Sequence, residues 1–248
     1  MYTEELNTTG NALFRHRSYV PVLFLALLLL GMREFSYFGD DHTLDLVWEV
    51  VCFSVSMFGL AIRAHVVGHA PSRTSGRNTK HQVAHTINTT GLYSLVRHPL
   101  YVGNFFMWLG VAMFLHDWRL AFITVTLYWL YYERIMIAEE NFLARTFGDA
   151  YREYASRTPA FVPTPASIRT YAKPELPFSV RNVLKREYSG FFAVVLIMFC
   201  LEIIGDYVVL NELTVDPVWL VAFGIAAAIY LTLRTLKRRT RVLRVAGR

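Results

Sequence analysis

The chain has 248 residues, of which 54% are hydrophobic, 15% aromatic and only 18% charged, and its mean hydropathy is +0.32. That excludes intrinsic disorder and exceeds the apolar content of an ordinary soluble domain. The formal charge of +6 would suit a nucleic-acid binder if the chain were soluble, but the placement of the basic residues points to membrane topology instead, and no nucleic-acid partner is expected.

A helix needs about 20 residues to cross a hydrocarbon core of about 30 Å. Six apolar segments approach that length: 19–32, 44–62, 100–115, 120–137, 190–210 and 217–233. The first is short, and spanning requires Arg33 and Glu34 to snorkel or pair at the far interface. It lacks a small-residue cleavage site and reads as a retained helix. A polar stretch, 63–99, follows the second segment. The third and fourth are separated by His116, Asp117 and their neighbours, which predicts a tight helical hairpin. A second polar stretch covers 138–189, and two further spans lead to the basic tail Lys237-Arg238-Arg239-Thr240-Arg241. That tail is expected on anionic lipid headgroups, at about 1 kcal/mol per basic residue.

With both termini in the cytoplasm, 23 of the 25 Lys and Arg lie on the cytoplasmic side, and only Arg33 and Arg119 fall outside. This satisfies the positive-inside rule. The expected fold is an all-α integral membrane protein of about six transmembrane helices, with a cofactor pocket at the cytoplasmic face and no Rossmann domain. Residues 1–43 hold the N-terminal segment and first helix, 44–165 the core, 166–189 an amphipathic linker, and 190–248 the last two spans and tail. Cys52 and Cys200 lie in apolar runs and make neither a metal motif nor a disulfide framework. Glu49, Glu202 and Asp206 lie in spans toward the non-cytoplasmic end, where contact with headgroups or Arg119 is expected and a substrate or proton role is the alternative.

The polar stretches carry the chemistry. His65 and His69 are four apart, as are His81 and His85, so each pair can share a helical face. Histidine-box oxygenases also need adjacent histidines, and this chain has no His-His; no metal is expected. No G-x-G occurs, so there is no dinucleotide fingerprint, and there is no Walker loop. The run Tyr93-Ser-Leu-Val-Arg97-His98-Pro99-Leu-Tyr101-Val-Gly103 places Pro99 at the first turn of a helix, where its missing N–H is harmless. Arg97 and His98 just before it, with the helix amides, would suit a carboxylate, and Gly103 would leave room for something flat. A capped helix with an interfacial aromatic and basic belt accounts for the same residues. Further on, Glu139-Glu140 begins a run in which Glu139, Leu143 and Phe147 share a stripe, Gly148 ends the helix, and Tyr151 and Tyr154 share a face near Arg157. A carboxylate there can take two ribose hydroxyls. An amphipathic helix lying on the membrane is the plainer alternative.

Together, R-H-P-x-Y-x-G and the later E-E-x-x-L-x-x-x-F-G-x-x-Y-x-x-Y resemble the isoprenylcysteine carboxyl methyltransferase and phospholipid methyltransferase superfamily, over roughly residues 44–165. Gly76-Arg77-Asn78 and Thr89-Thr90-Gly91-Leu92-Tyr93 resemble the lead-in of bacterial members. The resemblance implies a membrane methyltransferase that uses S-adenosylmethionine. It implies that Tyr93, Arg97, His98, Pro99, Tyr101, Gly103, Glu139, Glu140 and Leu143 line the cofactor pocket, and that Arg157 faces the reacting centre.

An anionic acceptor oxygen needs a cation to hold it but no base, a role for Arg157 shared with Arg97. An amine acceptor would require a base such as Glu139. The dense arginines favour an anionic, membrane-embedded lipid. A looser likeness to lipid A 1-phosphate methyltransferases puts a lipid phosphate first and implies a bacterial cytoplasmic membrane. A prenylcysteine carboxylate and a phospholipid amine are the alternatives. A six-helix transporter should show internal repeats and polar residues at the midplane, and neither is visible here.

Overall fold

The computed structural model describes residues 2–16, 19–71 and 84–247, and among these all regular structure is helical. In chain order the helices are α1 (Tyr2–His16), α2 (Val20–Gly31), α3 (His42–His69), α4 (Pro99–Met113), α5 (Trp118–Phe147), α6 (Asp149–Arg157), α7 (Pro165–Arg169), α8 (Val180–Leu210) and α9 (Pro217–Arg239). Each apolar segment of the sequence falls on a helix. Three of them, α3, α8 and α9, have both the length and the apolarity to cross a bilayer. α4 is apolar but has 15 residues, and α2 has 12, both short of the roughly 20 a crossing needs. α5 has 30 residues, but Glu133 and Arg134 within it, with its Tyr and Trp, make it less apolar. Large apolar side chains such as Val50, Phe58, Leu130, Val208 and Ile225 are exposed, as expected of lipid-facing surfaces.

The helix ends follow from local sequence. Asp41 caps α3 by accepting from the amides of Thr43 and Leu44. Asp117 and Asp216 do the same for α5 and α9. α4 and α5 form the tight hairpin expected around His116 and Asp117, and His116 turns the chain with φ of 58°.

α3 and α4 pack closely through small residues. A Cβ on Gly59 would collide with Gly103 O, and one on Gly110 would collide with Cys52 O and Ser56 Oγ. Such close backbone approach is the usual device of membrane helix pairs. Ser56 Oγ donates to Met107 O at 3.0 Å, and Trp48 Nε1 donates to Met113 O at 2.9 Å. α8 joins this pair over Cys52, Val111, Val194, Met198 and Leu201, all buried. A second cluster, Phe24, Tyr101, Tyr128, Tyr132 and Ile135, binds α2, α4 and α5.

α1 was not foreseen, because a hydropathy reading does not register a polar amphipathic helix. It lies along α5: Tyr131 OH donates to Leu13 O at 2.8 Å, and a Cβ on Gly10 would strike Arg134 O. The stretch expected to be a linker also does more. Ala172 O accepts from Gly91 N at 2.8 Å, and Ser179 N donates to Gly68 O at 2.9 Å, so residues 170–179 are tied to both α3 and the segment before α4.

Candidate active site

The two sequence motifs meet. A short 3-10 turn, Gly91–Ser94, leads to the Arg97-His98-Pro99 corner. Gly91 has φ of +63° there, and a Cβ on it would press on Pro174 at 3.1 Å, so glycine suits the position twice over. Arg97 N donates to Pro159 O at 2.9 Å and His98 N to Ala160 O at 3.1 Å. These two amides are therefore taken by the chain that follows α6, and they do not face an anion as expected.

Glu140 is the hub of the corner. Its Oε1 accepts from Arg97 Nε at 2.8 Å and from His98 Nε2 at 2.9 Å, and lies 2.8 Å from Arg97 Nη2. Arg97 Nη1 donates to the carbonyls of Ala155 at 2.9 Å and Thr158 at 2.7 Å. The guanidinium thus joins α5 to the end of α6. All three of its nitrogens are engaged, so Arg97 holds the site together and does not present a free cation to an acceptor. Glu139 is bound more lightly: its Oε1 accepts from Tyr101 OH at 2.8 Å, and its Oε2 lies 3.7 Å from His98 Nδ1. The His98 ring stacks on Tyr101, with centroids 5.7 Å apart. Leu143 is half-buried one turn beyond Glu139.

Burial works against a charge on Glu140, but the hydrogen bond and charge of His98, with Arg97, outweigh it and hold the carboxyl below its ordinary value. A carboxyl that ionises more readily when folded stabilises the fold fully above the ordinary carboxylate range, and that contribution is lost as pH falls through the folded value. Thermal unfolding in detergent, followed from neutral pH down to about pH 3, is expected to weaken more steeply for the unsubstituted protein than for Glu140→Gln. Equal slopes would contradict the role of this carboxylate.

α6 covers the corner. Tyr154 OH donates to Tyr93 O at 2.7 Å. Tyr151 is buried, and its hydroxyl has no partner among the described residues. Burial and then the Glu140 charge keep that phenol protonated. Arg157, expected at the reacting centre, is on the outside instead. Its side chain is 75% exposed and pairs with Glu153 one turn earlier. Gly103 is also corrected. The space beside it is filled by α3, since a Cβ there would lie 2.5 Å from Arg63 Cγ and 2.7 Å from Gly59 O.

Beside the corner lies a cavity of about 420 Å³, with His65, His69, Asn88, Thr89, Tyr93 and Glu175 among its lining residues. Tyr93 links it to the twin glutamates: its phenol is pushed up to about 12, first by burial and then by the Glu139 charge. His69 Nδ1 donates to Leu176 O at 2.7 Å. Among the described residues, the His65–His69 pair gains no third metal ligand. His81 and the Gly76-Arg77-Asn78 lead-in lie outside the described residues.

Close enough for its charge to act on Tyr93 is a group that sequence reading missed. Arg63 Nε and Nη2 donate to the two Glu187 oxygens at 2.8 and 3.0 Å, and Nη1 donates to Asn104 Oδ1 at 2.6 Å. This joins α3, α4 and α8. The only sequence signal was that Arg63 follows Gly59 by one turn, so α3 continues past its apolar stretch. Arg186, the neighbour of Glu187, is half-buried and its charge reaches Tyr93.

A family model described as phospholipid methyltransferase matches residues 74–150, the span that holds the first motif and the second from Glu139 to Gly148. A protein-S-isoprenylcysteine O-methyltransferase B from Arabidopsis thaliana is 30% identical over 136 residues, 48% of this chain and 68% of that protein. A protein-S-isoprenylcysteine O-methyltransferase from Schizosaccharomyces pombe is 34% identical over 96 residues, 36% of this chain and 40% of that protein. The cobalt-zinc-cadmium resistance protein CzcN of Cupriavidus metallidurans is 39% identical over 154 residues, 62% of this chain and 66% of that protein. The chain thus spans from 40% to 68% of the length of these relatives. No solved structure matches it significantly.

Proposed function

The chain belongs to the isoprenylcysteine carboxyl methyltransferase and phospholipid methyltransferase superfamily, and on that premise we propose that it moves a methyl group from S-adenosylmethionine to the carboxylate of an acceptor with a long apolar tail. The observation that carries this reading is the meeting of the two motifs, with Glu139 accepting from Tyr101 and its charge acting on Tyr93, which lines a cavity of about 420 Å³, within the usual range for small-molecule sites. The lipid phosphate favoured from sequence finds no support among these relatives. The two named for isoprenylcysteine O-methylation favour a carboxylate.

The residues present fit the cofactor. A nucleoside donor carries two ribose hydroxyls, and Glu139 holds a single hydrogen bond, from Tyr101, among the described residues. Tyr151 adds a buried hydroxyl in search of a partner, and a buried polar group without one costs about 1–3 kcal/mol. Asn88 and Thr89 add polar side chains along the cavity wall. When bound, S-adenosylmethionine supplies a methyl group on a positively charged sulfur that leaves as a neutral thioether.

The chain's own part is alignment and exclusion of water. Arg97 and Glu140 fix α4, α5 and α6 around the site. Tyr93 and Tyr154 close it on the side of α6. A carboxylate acceptor is ionised at neutral pH, so no proton has to be removed. A cation must hold it without taking its charge, and our candidate for that role is Arg186, whose charge reaches Tyr93, in place of the exposed Arg157. The corner faces the cytoplasm on this reading, because nearly all Lys and Arg then lie on that side.

The test is a transfer assay with methyl-labelled S-adenosylmethionine and an N-acetylated S-prenylcysteine. A carboxyl methyl ester releases its label as volatile methanol in mild base. Base-releasable label is the expected result. Label that survives base would mean an amine or phosphate acceptor and would overturn the assignment.

A further inference from the structure

The end of the bundle away from the Arg97 corner buries four carboxyl groups. Asp45 and Glu49 come from α3, and Glu202 and Asp206 from α8; each is at most 3% exposed. Asp206 is satisfied, with Tyr37 OH at 2.9 Å and Thr214 Oγ1 at 3.1 Å. Glu49 is only half satisfied. Asp45 Oδ1 accepts from Phe38 N at 3.1 Å and lies 2.9 Å from His116 Nε2. Glu49 Oε2 accepts from Trp219 Nε1 at 2.7 Å, while Glu49 Oε1 has no donor among the described residues, and the Glu49 and Glu202 carboxyls lie within hydrogen-bond reach of each other. Asp45, Glu49 and Glu202 each bring an oxygen within 4.8 Å of the other two. Among the described residues, no Lys or Arg pairs with any of them.

Three facing carboxyl groups in an apolar interior are tolerable only if protons or a bound cation neutralise them. One imidazole, His116, is not enough. Their spacing suits an ion, since oxygens on opposite sides of a divalent cation lie about 4–5 Å apart. A route inward also exists. His42 and Asp216 bring ligand atoms within 4.8 Å of Glu202. His42 is half-exposed, and its Nε2 lies 3.7 Å from Asp216 Oδ2. Glu202 belongs to both groups, so ligands run from the surface to the buried Glu49.

We propose that Asp45, Glu49 and Glu202 form a divalent-cation site, entered past His42 and Asp216, with His116 beside it. Three carboxylates near one imidazole suit a hard to borderline ion such as Mn²⁺. The ion ties α8 to α3 at the opposite end from the Arg63–Glu187 pair, and so helps fasten the last two spans to the core. This site is separate from methyl transfer and does not depend on it.

Metal-stripped full-length protein in detergent is titrated with MnCl₂, and free Mn²⁺ is read by electron paramagnetic resonance. About one Mn²⁺ per chain is expected to disappear from the free signal, with a rise in Tm. Glu49→Gln and Glu202→Gln should each weaken binding about 10–100-fold, while Glu153→Gln, at an exposed position on α6, should not change it. Asp45→Asn gives the same reading if one of the other variants fails to fold. A free Mn²⁺ signal unchanged by the unsubstituted protein would overturn the proposal and leave a proton shared between Glu49 and Glu202 as the neutralising device. Binding that survives both glutamine variants would overturn it equally, by locating the ion elsewhere.

Discussion

Arg97→Ala is expected to destabilise the protein by about 3–5 kcal/mol, the cost typical of removing one partner from a mostly buried ion pair, and to abolish methyl transfer. The guanidinium makes four contacts: two to Glu140 and one each to the carbonyls of Ala155 and Thr158. Removing it leaves Glu140 with His98 alone and frees the end of α6. Arg97→Lys should recover little, because an ammonium cannot span a carboxylate and two carbonyls as a planar guanidinium does. Chemical denaturation in detergent reads the stability loss, and the labelled-methyl assay reads the activity. A stable Arg97→Ala protein that binds S-adenosylhomocysteine normally would show that the corner is not held by this residue.

Glu187→Ala should be nearly as damaging. Arg63 has an 18% exposed side chain and Glu187 a 5% exposed one, so truncating the glutamate leaves a buried cation unpaired, at about 3–5 kcal/mol. Arg63→Leu combined with Glu187→Leu should recover part of that loss, because an apolar pair avoids the stranded charge. Tm values for the two single variants and the double variant test this. A double variant as weak as the sum of the singles would mean that the two residues act independently, against the geometry.

The two motifs were legible because each keeps its parts within a few residues. Arg97, His98 and Pro99 are adjacent, as are Glu139 and Glu140, and their meeting across the α4–α5 hairpin follows from the short turn at His116 and Asp117. The apolar segments were legible for the same local reason. What failed was what depends on neighbouring helices. Gly103 looked like room for a ligand, but a single helix does not reveal that Gly59 and Arg63 of α3 fill the space. Arg63 and Glu187 are 124 residues apart, and nothing local pairs them. Arg157 was assigned inward by resemblance alone, although Glu153 four residues earlier favours an exposed i,i+4 pair on a short polar helix. Glu202 and Asp206 looked like groups reaching toward headgroups, yet packing between α3 and α8 buries both.

The account rests on a nucleoside donor being gripped between the Arg-His-Pro corner and the twin glutamates. Titration calorimetry of the purified protein with S-adenosylhomocysteine tests this most directly, with Glu139→Gln beside it. One molecule bound per chain is the predicted result, with affinity about tenfold or more weaker in Glu139→Gln, as for a lost charge-assisted hydrogen bond. No heat of binding in the unsubstituted protein, or equal affinity in the two, would contradict it.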